Sequence, residues 1–188
     1  MDLWLVRHGA TEWSRSGRHT GSTDLPLLGD GEEDARRVGR RLGGHDFVRV
    51  FSSPLARARD TARLAGFGDR VETSDLLREF DYGDYEGLTT PQITKAHPGW
   101  EVFRDGCPGG ETPAALADRL DRFLALVGDP GGDVLLFGHA HCLRALATRY
   151  LDQPIEVAGV LRLDAGSVSV LGHEHEHRAL LLWNERCG

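Results

Sequence analysis

Three short apolar runs, LWLV at residues 3–6, VRVF at 48–51 and VLLF at 134–137, are each followed by a polar loop and then a helical pattern. Runs this short, with Arg49 as their one polar residue, suit strands buried on both faces of a sheet. Ala35, Val38 and Leu42 mark one face of a helix that ends at Gly43 and Gly44. Pro54 opens a second helix carrying Ala58, Ala62 and Leu64. A third has Thr112 as its cap, Pro113 in its first turn, and Leu116, Leu120, Leu124 and Val127 on one stripe. Strands alternating with helices predict an α/β fold, a three-layer α/β/α sandwich with a mostly parallel central sheet. At 188 residues, 40% of them apolar, one domain over 1–188 is expected.

The tail differs. Three strand-like runs at 160–163, 167–171 and 179–183 are split by turn residues, so a meander should finish one side of the sheet. The stretch 76–110 is rich in Gly, Asp and Tyr, with one short helix capped by Thr90 and followed by Pro91. Such excursions form lids or site walls in α/β proteins.

In an open α/β sheet, ligands bind beyond the carboxyl ends of the strands. The first run exits into Arg7 and His8, the second into Ser52, Ser53 and Pro54 with Arg57 soon after, and the third into Gly138 and His139. Two histidines and two arginines at one edge are suited to an anion. The formal charge of −7 and the pI near 5.7 argue against broad binding to nucleic acid or an anionic membrane, so any anion site must be local. Lys95 is the only lysine, and arginine's planar fork suits bidentate phosphate binding. Cys107, Cys142 and Cys187 are too few and too scattered for a disulfide framework, and a reducing cytoplasm fits them. No stretch of the chain has the length of apolar sequence that a membrane span needs.

RHGATEW, SSPLARARDTA, LLREFDYGDYEG and FGHAH, in that order, together resemble the histidine phosphatase superfamily, also called phosphoglycerate mutase-like, over essentially the whole chain. The resemblance implies that His8 attacks phosphorus and carries it as phosphohistidine, that Arg7 and Arg57 grip the phosphoryl oxygens, and that His139, if protonated, adds a donor. It also makes Glu79 the acid for the leaving oxygen, a role that calls for a pKa raised by burial or by nearby negative charge. Asp81, Asp84 and Glu86 are close enough in sequence to supply that charge, or to be the acid instead.

Ser14, Thr20 and Gly21 are the expected secondary phosphate contacts, joined by Arg18, Tyr82 and the backbone at Ala140. Ser14 stands where relatives commonly have asparagine, and Ala140 where they often have glycine. Arg18, His19 and Arg144 are candidates for a second phosphate. The chain lacks the RHGxRxP signature of the secreted acid phosphatases and the basic insertion of the cofactor-dependent mutases, whose place holds only Lys95 and Arg104. The expected activity is therefore phosphomonoester hydrolysis, and TEWSRSGRHTGSTDLPL and LDAGSVSVLGHE most resemble the small sugar-phosphate and sedoheptulose-bisphosphatase-like members. Alternatives are a mutase-type phosphotransferase, a non-catalytic phosphate binder and, more distantly, a protein phosphatase. The expected partner is a small phosphomonoester, with no cofactor, no metal, no nucleic acid and no membrane, and with a homodimer allowed for.

Two motifs are set aside. His173, His175 and His177 in HEHEH have the spacing of metal ligands on one strand face, but an exposed hairpin end explains them better. A cysteine-phosphatase loop built on Cys142 would need an arginine where Thr148 stands.

Overall fold

The computed structural model describes residues 1–187. In chain order the elements are β1 (Leu3–Arg7), α1 (Glu12–Ser16), α2 (Gly29–Leu42), β2 (Arg49–Ser52), α3 (Ala56–Leu64) and β3 (Val71–Thr73). They continue with α4 (Thr90–Ala96), α5 (Val102–Asp105), α6 (Pro113–Val127), β4 (Val134–Gly138), α7 (Ala140–Tyr150), β5 (Ser167–Glu174) and β6 (His177–Arg186). One sheet runs β3-β2-β4-β1-β5-β6. Its first four strands are parallel, β5 is antiparallel to β1, and β6 returns along β5.

Side chains alternate across this sheet into two cores. Leu3, Leu5, Phe51, Val134 and Leu136 face α6 and α7, packing with Leu116, Leu120, Phe123, Leu143 and Leu146. Val6, Val50, Leu135 and Phe137 face α2 and α3, packing with Val38, Leu42 and Ala62. Helices therefore cover both faces. No helix among the described residues is long and apolar enough to cross a membrane.

Several boundaries differ from expectation. Residues 160–163 are not a strand, because their carbonyls and those just before them are taken by side chains. Arg144 bonds the carbonyls of Ala158 and Gly159, Trp183 Nε1 bonds Arg162 and Arg7 bonds Leu163. Ile155–Val160 is a 3-10 helix instead. The cap of α4 is Thr89, in a capping box with Gln92, with Thr90 and Pro91 already inside the helix. The helix after β2 starts at Ala56, two residues beyond Pro54. α1 and β3 carry no periodic apolar signal because they are short; α1 rests on a Thr11–Ser14 capping box and ends at left-handed Gly17. His173 and His177 lie on opposite arms of the β5–β6 hairpin, with His175 in its turn. Among the described residues no group of three or more His, Cys, Asp and Glu side chains is placed to hold a metal.

The 76–110 excursion is anchored in the core by buried Leu77, Ile93, Trp100 and Phe103. Trp100 Nε1 donates to Gly106 O at 2.8 Å. Its beginning is held from α6: Arg119 donates to the Leu76 and Arg78 carbonyls and forms a bidentate pair with Glu111.

The loop after β1 lies backbone to backbone against the start of α2. A Cβ on Gly9 would collide with the Gly31 carbonyl, and one on Gly31 with the backbone of Ala10. Gly31→Ala is expected to cost about 1–3 kcal/mol of stability, the usual range for overpacking, and to shift the loop that carries His8. Urea unfolding reads the first effect, and the His8 ring resonances in NMR read the second.

Candidate active site

Register places the working residues at one edge. Arg7 lies beside Gly138 across β1 and β4, and Ser52 beside Phe137 across β2 and β4. The ladder continues one step further through His8 N to Gly138 O at 3.0 Å and Ser53 N to Phe137 O at 2.9 Å. His8, Ser53 and His139 thus leave the sheet together, with the His8 and His139 ring centroids 5.2 Å apart.

A cavity of about 430 Å³ opens above this edge, lined among others by Arg7, His8, Glu79, Tyr82, His141 and Arg144. His8 is 5% exposed. Burial, with Arg57 and Arg7 close by, pushes its pKa well below 6.5, so the ring is neutral. Its Nδ1 lies 2.7 Å from the Gly9 carbonyl oxygen, which can only accept. The proton therefore sits on Nδ1, and Nε2 keeps its lone pair.

The cations are short of counter-charge. Arg7 Nη1 donates to Leu163 O at 2.5 Å, while its buried Nε has no partner among the described residues. Burial pushes its pKa down, against a smaller upward pull from Glu79. Arg57 is fully buried, and its nearest carboxylate oxygen, on Asp24, is 4.0 Å away. An unpaired buried cation is costly, and an anion in the cavity would relieve that cost.

Arg57 is not positioned as expected. Its guanidinium donates to the carbonyls of Thr20, Gly21 and Thr23, and its Nε donates to His139 Nδ1 at 3.1 Å. Neither Arg57 nor His139 lines the cavity; both form a layer behind it. The condition placed on His139, that it be protonated, is not met by its surroundings. Burial and Arg57 hold its pKa well below 6.5. With Nδ1 accepting from Arg57, the proton is on Nε2, which donates to Ser53 Oγ at 2.7 Å.

Glu79 is the one acid of the four candidates that lines the cavity. Its Oε1 accepts from the N–H groups of Phe80 and Cys142, and its Oε2 from that of His141 at 3.1 Å, which orients the carboxyl on the first turn of α7. Glu86 is occupied elsewhere, bonding the N–H groups of Gly21 and Thr23, and Asp81 accepts from Gly83 N.

The secondary contacts divide. Ser14, Arg18, Thr20, Tyr82 and Ala140 line the cavity. Ser14 spends its hydroxyl donor on Thr11 O, so it brings no free donor. Gly21 lies outside the lining, with its N–H bonded to Glu86 and its carbonyl to Arg57. Sequence reasoning missed His141, Ser53 and the 159–163 segment as site residues. The second histidine of FGHAH and the serine at the β2 exit were visible signals for the first two; the segment, expected to be a strand, gave none.

A sequence model described as "Histidine phosphatase superfamily (branch 1)" matches residues 3–186. The chain belongs to this superfamily. Among its histidine phosphatase relatives, a Mycobacterium tuberculosis protein named acid phosphatase is 42% identical over 182 residues, 95% of this chain and 89% of its own. A Saccharomyces cerevisiae sedoheptulose 1,7-bisphosphatase is 38% identical over 176 residues, covering 76% of this chain and 65% of its own. Among solved structures, a Mycobacterium tuberculosis open reading frame product superposes with a TM-score of 0.95 at 40% identity, over 100% of this chain and 98% of that one. The alpha-ribazole phosphatase from Shigella flexneri gives 0.84 at 26% identity, over 99% and 97%.

The buried neutral histidines make this histidine phosphatase acid-sensitive. His8, His139 and His141 have pKa values well below 6.5, and that of His19 is lowered to about 4, all chiefly by burial. Unfolding lets them take up protons once pH drops below about 6.5. Their contribution is present above 6.5 and is lost as pH falls below it, for His19 down to about 4, at up to about 1.4 kcal/mol per pH unit for each histidine. Urea midpoints at pH 7.5, 6, 5 and 4 should fall in that order.

Proposed function

We propose that this protein is a metal-independent phosphomonoesterase that hydrolyses a small phosphorylated metabolite, a sugar phosphate, through a phosphohistidine on His8. The observation that carries this reading is the His8 tautomer: Nδ1–H is committed to Gly9 O, which leaves Nε2 as a nucleophile in a cavity with unpaired cations.

In the proposed first step Nε2 attacks phosphorus, the P–O bond to the leaving group breaks, and Glu79 gives that oxygen its proton. In the second, water attacks the phosphohistidine, the P–N bond breaks, Glu79 recovers a proton from the water, and inorganic phosphate leaves. Arg7, which lines the cavity, holds the phosphoryl oxygens through its guanidinium. Arg57 adds positive charge from behind, and His139 serves as the rigid link between it and Ser53. Among the lining residues Ser14, Thr20, Arg18, Tyr82 and Ala140 would contact substrate, with Gly21 acting only through Arg57 and Glu86.

Hydrolysis is favoured over phosphate transfer because relatives and a structural neighbour carry phosphatase names and the chain lacks a basic insertion. A Salmonella choleraesuis relative with a phosphoglycerate mutase name, 32% identical over 184 residues, keeps the mutase as the second reading.

A panel of sugar phosphates, phosphoglycerates, nucleotides and phosphopeptides, run with EDTA, tests the proposal. Selective phosphate release should persist in EDTA, vanish in His8→Ala, and drop about a hundredfold or more in Glu79→Gln and in Arg7→Gln. Loss of turnover with EDTA, or full activity in His8→Ala, would contradict it.

A further inference from the structure

The catalytic cavity is not closed on its far side. A second cavity of about 350 Å³ adjoins it, and His19, His141, Arg144, Gly159 and Val160 line both. Two of these present donors with no protein acceptor.

Arg144 is fixed from three directions. Its Nε and Nη2 donate to the carbonyls of Ala158 and Gly159, at 2.8 and 3.0 Å, and its guanidinium stacks on Phe103 at 5.1 Å. Nη1 has no partner among the described residues, and no carboxylate lies within ion-pair distance of this guanidinium.

His141 is fixed by Tyr82, whose hydroxyl is 2.5 Å from Nδ1. Burial keeps Tyr82 a phenol and His141 a neutral imidazole. Nδ1 is the one acceptor bonded to that hydroxyl among the described residues, so the hydroxyl donates. The imidazole proton is then on Nε2, which has no partner among the described residues. The ring packs at a tilt against Phe103, with centroids 5.3 Å apart, and its backbone N–H is on Glu79.

Glu79 lines the first cavity and Glu101 and Glu156 the second, but among the described residues neither donor is bonded to a carboxylate, and a fixed guanidinium edge with a fixed N–H is matched by a group that only accepts: an anion. We propose that Arg144 Nη1 and His141 Nε2–H form a second anion subsite, and that the preferred substrates are phosphomonoesters whose leaving group carries its own carboxylate or phosphate. This rests on the phosphatase reading for its catalytic meaning. Of Arg18, His19 and Arg144, the candidates for a second phosphate, it takes Arg144 and adds His141, which the sequence did not single out; Arg18 is an exposed rim residue tied to Gly87 O.

The test measures binding, so that it stands apart from turnover. The full chain carrying His8→Ala is titrated calorimetrically with two matched pairs: phosphoglycerate against glycerol phosphate, and a hexose bisphosphate against the hexose monophosphate. The pairs separate a carboxylate from a phosphate as the second anion. In at least one pair the compound with the second anionic group should bind about tenfold or more tightly, and Arg144→Gln added to the same chain should erase that preference. If Arg144→Gln fails to fold, His141→Phe keeps the aromatic packing, removes the donor and should reduce the preference about three- to tenfold. Equal affinity within both pairs, no binding by any of the four, or a preference that survives these substitutions overturns the subsite. If the native chain releases no phosphate while the binding preference stands, the phosphatase reading falls and the subsite does not.

Discussion

The hydrogen bond from His8 Nδ1–H to the Gly9 carbonyl is short, local and decisive, because it selects which ring nitrogen faces the cavity with a lone pair. It exists only if Gly9 keeps its backbone shape. That shape is held by Gly9 N donating to Thr61 Oγ1 on α3, and by the close approach of Gly31 at the start of α2, where no Cβ fits. The glycine of the RHG triplet is thus tied to the chemistry through packing: the bare backbone lets helix and loop touch, and the contact fixes the histidine. Two helices on one face of the sheet are needed to orient one imidazole at its edge.

Around that imidazole the protein concentrates positive charge and withholds negative charge. Arg7, Arg57 and Arg144 all have pKa values lowered first by burial, and Glu79 is the one carboxylate lining the cavity. Elsewhere the chain pairs its arginines freely, as on the surface of α2, where Arg36, Arg37 and Arg40 meet Glu32, Glu33 and Asp34. The net acidity of the chain and the local deficit of carboxylates in the site are therefore compatible. A dianionic phosphoryl group supplies what the site lacks, and the same field keeps His8 neutral, the form a nucleophile requires.

Much of this was legible from the residues. The three strand exits carrying His8, Arg57 and His139 follow from apolar runs and strand-helix alternation, and the register of β1, β2 and β4 brings them to one edge. What was hidden depended on where individual donors go. Arg57 and His139 have the identity of phosphate ligands, yet three backbone carbonyls and Ser53 claim their hydrogen bonds. Residues 160–163 have the composition of a strand, yet side chains of Arg7 and Trp183 claim their carbonyls. His141 was passed over although it stands two residues after His139, because its tautomer is set by Tyr82, a residue far away in the sequence.

The central claim is that His8 Nε2 bonds to phosphorus during turnover. Rapid acid-free quenching of the native protein with a turned-over phosphomonoester, followed by peptide mass spectrometry, measures this directly. A phosphoryl group should be found on the peptide containing His8, labile to acid and stable to base, appearing and decaying with substrate. Steady hydrolysis with no phosphorylated His8 peptide, or with the phosphoryl group on another residue, would contradict it.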